Sequence, residues 1–128
     1  MLQELLMKDL CARLPYGVMC HANEINLDGE LLFINKVYKT VALYNDKAIG
    51  KFDTCPIADI KLYLRPMSSM TEEEKREYII LDDLVTVDGV LVSSCETFDW
   101  LNTHHFDYRG LIEKGLALEA PEGMYKIK

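Results

Sequence analysis

Between Val18 and Leu64 the chain alternates short apolar stretches with turn-forming residues, and this constrains the fold more than any other feature. Val18 to Ala22, Leu31 to Tyr38, Thr40 to Tyr44 and Ala48 to Phe52 are apolar or rich in β-branched and aromatic residues, which suit a pleated, half-buried surface. Asn26-Leu27-Asp28-Gly29 and Asn45-Asp46-Lys47 read as turns, with Asp-Gly the pair that favours hairpins. Ile57 to Ile60 reads as one helical turn and Leu62 to Leu64 as a closing strand. Four or five strands of this length, joined this tightly, predict a small, curled antiparallel sheet or barrel of SH3-like size. Such a sheet leaves an open end or face that another element must cover.

The N-terminal segment is suited to that task. Leu2, Leu5, Leu6, Leu10, Cys11 and Leu14 recur at helical spacing, with Glu4, Lys8 and Arg13 assigned to the opposite face. Pro15-Tyr16-Gly17 ends this helix, because proline disfavours helical geometry before it and glycine tolerates the exit. After the sheet, Thr71 and Glu74 have capping-box spacing: the hydroxyl caps the amide three residues on and the carboxylate reaches back. Glu72, Glu73 and Glu74 also favour the positive end of the helix dipole, so a helix is predicted from Glu72 to about Leu81. Leu84 to Val87 and Val90 to Val92 flank Asp88-Gly89 as a hairpin, and Ser94 or a neighbour starts a further helix ending near His105. The tail from Phe106 holds Gly110, Gly115, Pro121 and Gly123 and reads as mostly loop, with Leu111, Ile112, Leu116 and Leu118 packing onto the domain. At 128 residues, about half of them apolar, the chain fits one domain with a real core. The expected architecture is a single α+β domain over 1–128. Its N-terminal helix packs on a curled antiparallel, SH3-like sheet, followed by two helices, a hairpin and a loop-rich C-terminal tail.

Charge narrows the partners. Up to Pro66 eight basic residues balance eight acidic ones; from Met67 onward six face thirteen, so the whole net charge of −7 lies in the second half. Duplex nucleic acid requires a basic stripe, which this chain lacks, and an anionic membrane is no better matched. No stretch approaches the roughly 18 apolar residues of a membrane span. Glu4, Lys8, Asp9 and Arg13 interrupt the first apolar residues, so no secretory core is present. Cys11, Cys20, Cys55 and Cys95 are widely spaced and read as buried free thiols of a reducing compartment. The expectation is a cytoplasmic protein.

The segment from Trp100 to Gly110 is the densest in chemistry. Trp100, His104, His105, Tyr108 and Arg109 fall within it, and Tyr63 and Arg65 form a second candidate group before Pro66. Rings of this kind can stack on a base, and a guanidinium can hold a phosphate or carboxylate with two parallel bonds. The structural alternative is a helix C-terminus, with His104 and His105 at the negative dipole end and Trp100 and Phe106 in the core. Arg65 has its own alternative, pairing with Glu72 to Glu74. A metal site from His104, His105 and Asp107 is disfavoured because adjacent helical residues point about 100° apart. A nucleophilic Cys95 or Cys55 would need a histidine partner and an electropositive setting, and Ser94, Glu96 and Asp99 give Cys95 an acidic one that works against a thiolate. Phosphate-loop, dinucleotide, hydrolase-elbow and kinase motifs do not occur. No catalytic residue, metal ligand or cofactor is therefore assigned.

Three segments act together as a signature: Leu6 to Val18, Tyr63 to Glu74, and Asp99 to Tyr125, the last containing His104-His105-Phe106-Asp107-Tyr108-Arg109-Gly110. Across about half the chain they resemble a family of small uncharacterised proteins of gut Bacteroidota, their prophages and phages. The resemblance implies a mobile-element setting and transfers no catalytic residue. In that setting one expectation is a sponge: a homo-oligomer that sequesters a nucleotide immune signal, cyclic or ADP-ribose-derived. Tyr63, Arg65, Trp100, His104, His105, Tyr108 and Arg109 would bind the ligand. The other expectation is a protein-interaction module, an inhibitor or adaptor, using the sheet or the acidic helix. An enzyme using His104 or His105 as acid or base is a third.

Overall fold

The computed structural model describes residues 2–45, 52–84, 86–87, 90–91 and 94–125, with backbone alone between 82 and 95. Helix α1 (Leu2–Arg13) runs into a single 3-10 turn over Leu14–Tyr16, and Gly17 makes the exit in the left-handed region at φ 72°. Five strands follow: β1 (Met19–Ala22), β2 (Leu27–Asn35), β3 (Thr40–Tyr44), β4 (Phe52–Pro56) and β5 (Ile60–Leu64). The second half holds α2 (Glu72–Leu84), the short strands β6 (Thr86–Val87) and β7 (Val90–Leu91), α3 (Ser94–Thr103) and β8 (Ala117–Glu119).

The main sheet has the order β4-β3-β2-β1-β5-β8, with β6 and β7 paired separately. Neighbours are antiparallel except β5 and β8, which run parallel with Leu62 beside Ala117. A parallel pair needs a long crossover, and the segment carrying α2, β6, β7 and α3 supplies it. Among the described residues no pairing joins β4 to β8, so the sheet is open and not a closed barrel. Leu6 and Leu10 of α1 cover one face of it, packing with Val18, Leu31, Leu43, Leu62 and Leu64. Along β5 the pattern is strict: Ile60, Leu62 and Leu64 are buried, Lys61 and Tyr63 half-buried.

Several sequence expectations need correction. Asp28 and Gly29 are not a turn. The reversal lies at residues 23–26, with Asn26 at φ 50°, and Asp28 and Gly29 sit inside β2 opposite His21 and Cys20. Gly29 is required by close packing: a Cβ there would stand 2.7 Å from the Tyr44 carbonyl oxygen. Leu2 and Cys11, assigned to the buried face of α1, are exposed, whereas Arg13, assigned to the solvent face, is fully buried. The tail is mostly loop, as expected, but β8 within it joins the sheet. β5 is not a closing strand, because β8 lies beyond it. The helix begun by Glu72 extends three residues further than expected, and α3 stops two residues earlier. The expected strand Ala48 to Phe52 and turn Asn45 to Lys47 fall largely outside the described residues, as does the Asp88-Gly89 turn.

Candidate functional site

The segment after α3 is positioned by backbone geometry. The His105 amide donates to Asn102 O (3.1 Å) and the Phe106 amide to Leu101 O (3.0 Å), which is a Schellman ending with His105 as the left-handed residue, φ 62°. Glycine is the usual occupant of that position, so a histidine there is held by its contacts. Its carbonyl accepts the Arg65 amide (2.8 Å), and the Asp107 amide donates to Arg65 O (2.9 Å). The Leu64 carbonyl instead accepts from Ala120 at β8 (2.8 Å), so residues 105–107 lie on the opposite edge, in line with β1. The Asp107 carboxylate then accepts the amides of Leu111 and Ile112 (2.8 and 3.0 Å), fixing the following turn.

Arg65, Trp100 and His104 are brought together, with Phe106 at the centre. The Arg65 guanidinium lies over the Phe106 ring at 4.2 Å, and Trp100 stacks on Phe106 at 5.7 Å and 18°. His104 and Tyr78 flank Trp100 at 4.3 and 5.8 Å. These groups also have polar partners. Arg65 donates two parallel bonds to the buried Glu74 carboxylate (2.8 and 2.7 Å), Trp100 Nε1 donates to Glu77 (3.0 Å), and His104 Nδ1 meets the Trp100 carbonyl (2.9 Å). Glu74 closes the capping box at the same time, accepting the Thr71 amide (2.9 Å) while its own amide donates to the Thr71 hydroxyl (3.1 Å). Burial pushes the Glu74 carboxyl up, but the Arg65 hydrogen bonds, the Thr71 bonds and the Arg65 charge outweigh it and hold the group at about 2.

Tyr108 and Arg109 belong to a second cluster. Arg109 Nε donates to Asp9 (3.1 Å), and Arg13 Nε donates to the other oxygen of that carboxylate (2.7 Å). Arg13 also donates through Nη2 to the Phe106 carbonyl (2.7 Å). The two guanidiniums lie over the Tyr108 ring, at 4.9 and 5.3 Å, and the Tyr108 hydroxyl donates to Asn102 (2.8 Å). Asp9 and Arg13 are fully buried, whereas Arg109 keeps 30% of its side chain exposed.

His105 and Tyr63 stand apart from both clusters. The His105 ring stacks on Tyr125 at 3.7 Å and 17°. Burial, with the positive charge of Arg13, pulls its pKa down to about 4, so the ring is neutral at physiological pH. Tyr125 is held by its hydroxyl, which accepts the Met19 amide (2.8 Å) and donates to the Tyr63 carbonyl (2.7 Å). That oxygen is inserted between β1 and β5 where their ladder ends. The Tyr63 side chain faces away on the outer side of the sheet, donating to Asp28 (2.9 Å), whose carboxylate also meets His21 Nδ1 (2.7 Å). Burial and the Asp28 bond push the Tyr63 phenol up to about 12.

The seven candidates therefore divide into four places, with His105 and Tyr63 each apart, and both arginines are already engaged by carboxylates. Sequence reasoning missed Asp9 and Arg13, although their i,i+4 spacing is that of a helical ion pair, and it missed Tyr125. A cleft of about 260 Å³ opens between Arg65, Ser69, Glu119, Glu122 and Tyr125. No helix among the described residues is long and apolar enough to cross a membrane. In comparisons with known proteins, the chain matches no family model, no curated protein and no solved structure.

Proposed function

We propose that this protein is a non-catalytic binding module that engages an extended segment of another protein at the β4 edge of its sheet. One observation carries the reading. Phe33 and Phe52 are about half exposed, at 50% and 46%, and their rings meet edge to face at 6.1 Å across β3. Leu32, at the irregularity in the β2–β3 register, adds exposed apolar surface beside them. Exposed apolar residues are ordinary when scattered. Here they share the surface of β2 and β4, and Phe52 lies on β4, whose one sheet neighbour among the described residues is β3, which makes that strand a ready template for strand addition. An SH3-like curl of β1–β5 belongs to this reading. So does the mobile-element setting that the sequence signature resembles, in which the role is that of a cytoplasmic inhibitor or adaptor.

The test is site-specific crosslinking in the producing cell, with benzoylphenylalanine placed at Phe33, Phe52 or, as a control on α2, Ile79. A discrete adduct from positions 33 and 52, absent from 79, and with the position-52 adduct lost in Phe33→Lys, supports the reading. An adduct of twice the chain mass identifies a second copy instead. Equal labelling from all three positions overturns the assignment.

The nucleotide sponge is the second reading, favoured by the exposed part of Arg109 and by the cleft beside Arg65. In it the seven candidate residues act with a homo-oligomeric partner that closes the pocket. Thermal stability against mono-, di- and cyclic nucleotides and ADP-ribose derivatives decides it. A bound ligand at a hundredfold excess over Kd adds about 2.7 kcal/mol, and a flat panel removes this reading.

A further inference from the structure

The cleft beside Tyr125 has an electrostatic character opposite to the one its arginine suggests. Arg65 lines it, but Glu74 neutralises that guanidinium with two bonds. Glu119 and Glu122 also line it, and neither has a hydrogen-bond or ion-pair partner among the described residues. Among the described residues the local balance is therefore two unmatched negative charges, in a chain whose net charge of −7 attracts cations at longer range.

The aromatic wall is built, not incidental. The Tyr125 ring is backed by His105 at 3.7 Å and pinned at its hydroxyl to β1 and β5, so it presents a fixed face without further ordering. His105 is itself buried with Nδ1 unpartnered, and its lowered pKa keeps it from adding a competing positive charge. A volume of about 260 Å³ is less than the roughly 300–1,000 Å³ of pockets for drug-sized ligands, so the cleft suits a small group. Guanidinium is the better fit than ammonium, because it stacks flat on a ring while offering its edge to carboxylates.

We propose that this cleft binds a guanidinium group, stacked on Tyr125 and held by Glu119 and Glu122, supplied by a small molecule or by an arginine side chain of a protein. The cleft adjoins β8, at the opposite edge of the sheet from β4, so this site stands or falls independently of the docking surface proposed above.

The experiment is an amide NMR titration of the full chain with methylguanidinium chloride, with methylammonium chloride and sodium chloride as comparators. Saturable shifts confined to the amides of Ser69, Glu119, Ala120 and residues 122–125, stronger for methylguanidinium than for methylammonium, are expected. Glu119→Gln with Glu122→Gln weakens them roughly tenfold, whereas Glu73→Gln leaves them unchanged. Both carboxylates are on exposed residues, so the double variant retains the fold, which its own spectrum verifies. A Gly-Arg-Gly peptide distinguishes the sources: binding equal to methylguanidinium supports a protein arginine, and exclusion supports a small molecule. Non-saturating shifts spread over the acidic surface, or shifts that survive the double variant, overturn the proposal.

Discussion

Replacing Arg65 by methionine inverts the acid response of this fold. In the native chain the Glu74 carboxyl stands at about 2 against an ordinary 4.5. At about 1.4 kcal/mol per pH unit, that difference corresponds to about 3 kcal/mol of stability. The folded-state pKa is depressed, so this contribution is complete above pH 4.5 and is lost as pH falls toward 2. In Arg65→Met the Thr71 bonds remain, but the carboxylate is left buried without its cation. Breaking a buried pair on one side costs about 3–5 kcal/mol at neutral pH. Burial then prevails and raises the carboxyl, so protonation relieves the variant as the pH falls. Urea unfolding at pH 7, 5 and 3 reads this directly. The native protein weakens from pH 5 to pH 3, while the gap between the two proteins narrows by about 3 kcal/mol. Arg65→Met with Glu74→Gln recovers part of the neutral-pH loss. Parallel pH profiles for the native and variant proteins would refute the reasoning.

Three further outcomes are expected. Tyr125→Phe removes one acceptor and one donor from the β1–β5 seam and costs about 1–3 kcal/mol in thermal or urea unfolding, with faster hydrogen exchange at the Met19 amide. Arg13→Met strands the fully buried Asp9 with Arg109 alone, and chemical denaturation should show a loss of about 3–5 kcal/mol, well above that of Arg109→Met. Of the three described cysteines, Cys11 is exposed and should react promptly with a disulfide reagent at pH 8, while Cys20, pushed up to about 12 by burial, and Cys55, also raised by burial, react only on unfolding.

Local chemistry was the legible part of the sequence. The capping box at Thr71 and Glu74, the exit at Gly17 and the helical turn before β5 depend on neighbours within a few residues, and all three are present. Asp28-Gly29 misled because the pair has two physical uses. Its glycine serves a close approach of the Tyr44 carbonyl, a contact between strands that no local window contains. Arg13 misled for a similar reason, since a charge on a helix is buried only when a distant carbonyl, here that of Phe106, completes its bonding. Of the candidate site, the pairing of Arg65 with the 72–74 glutamates was readable from charge and spacing. The division of Trp100, His105, Tyr108 and Arg109 among three environments was not, because a left-handed residue at 105 turns successive side chains in different directions.

The hydroxyl of Tyr125 joins residues that leave the ribosome far apart, for Met19 precedes it by 106 positions. The end of the seam between β1 and β5, beyond the Cys20–Leu62 pair, therefore lacks its bridge until residue 125 is made, although both strands are synthesised by residue 64. A stalled or prematurely terminated product would carry most of the sheet yet leave the Met19 amide and the Tyr63 carbonyl unmatched. A single side chain made last thus closes the gap between two strands made first.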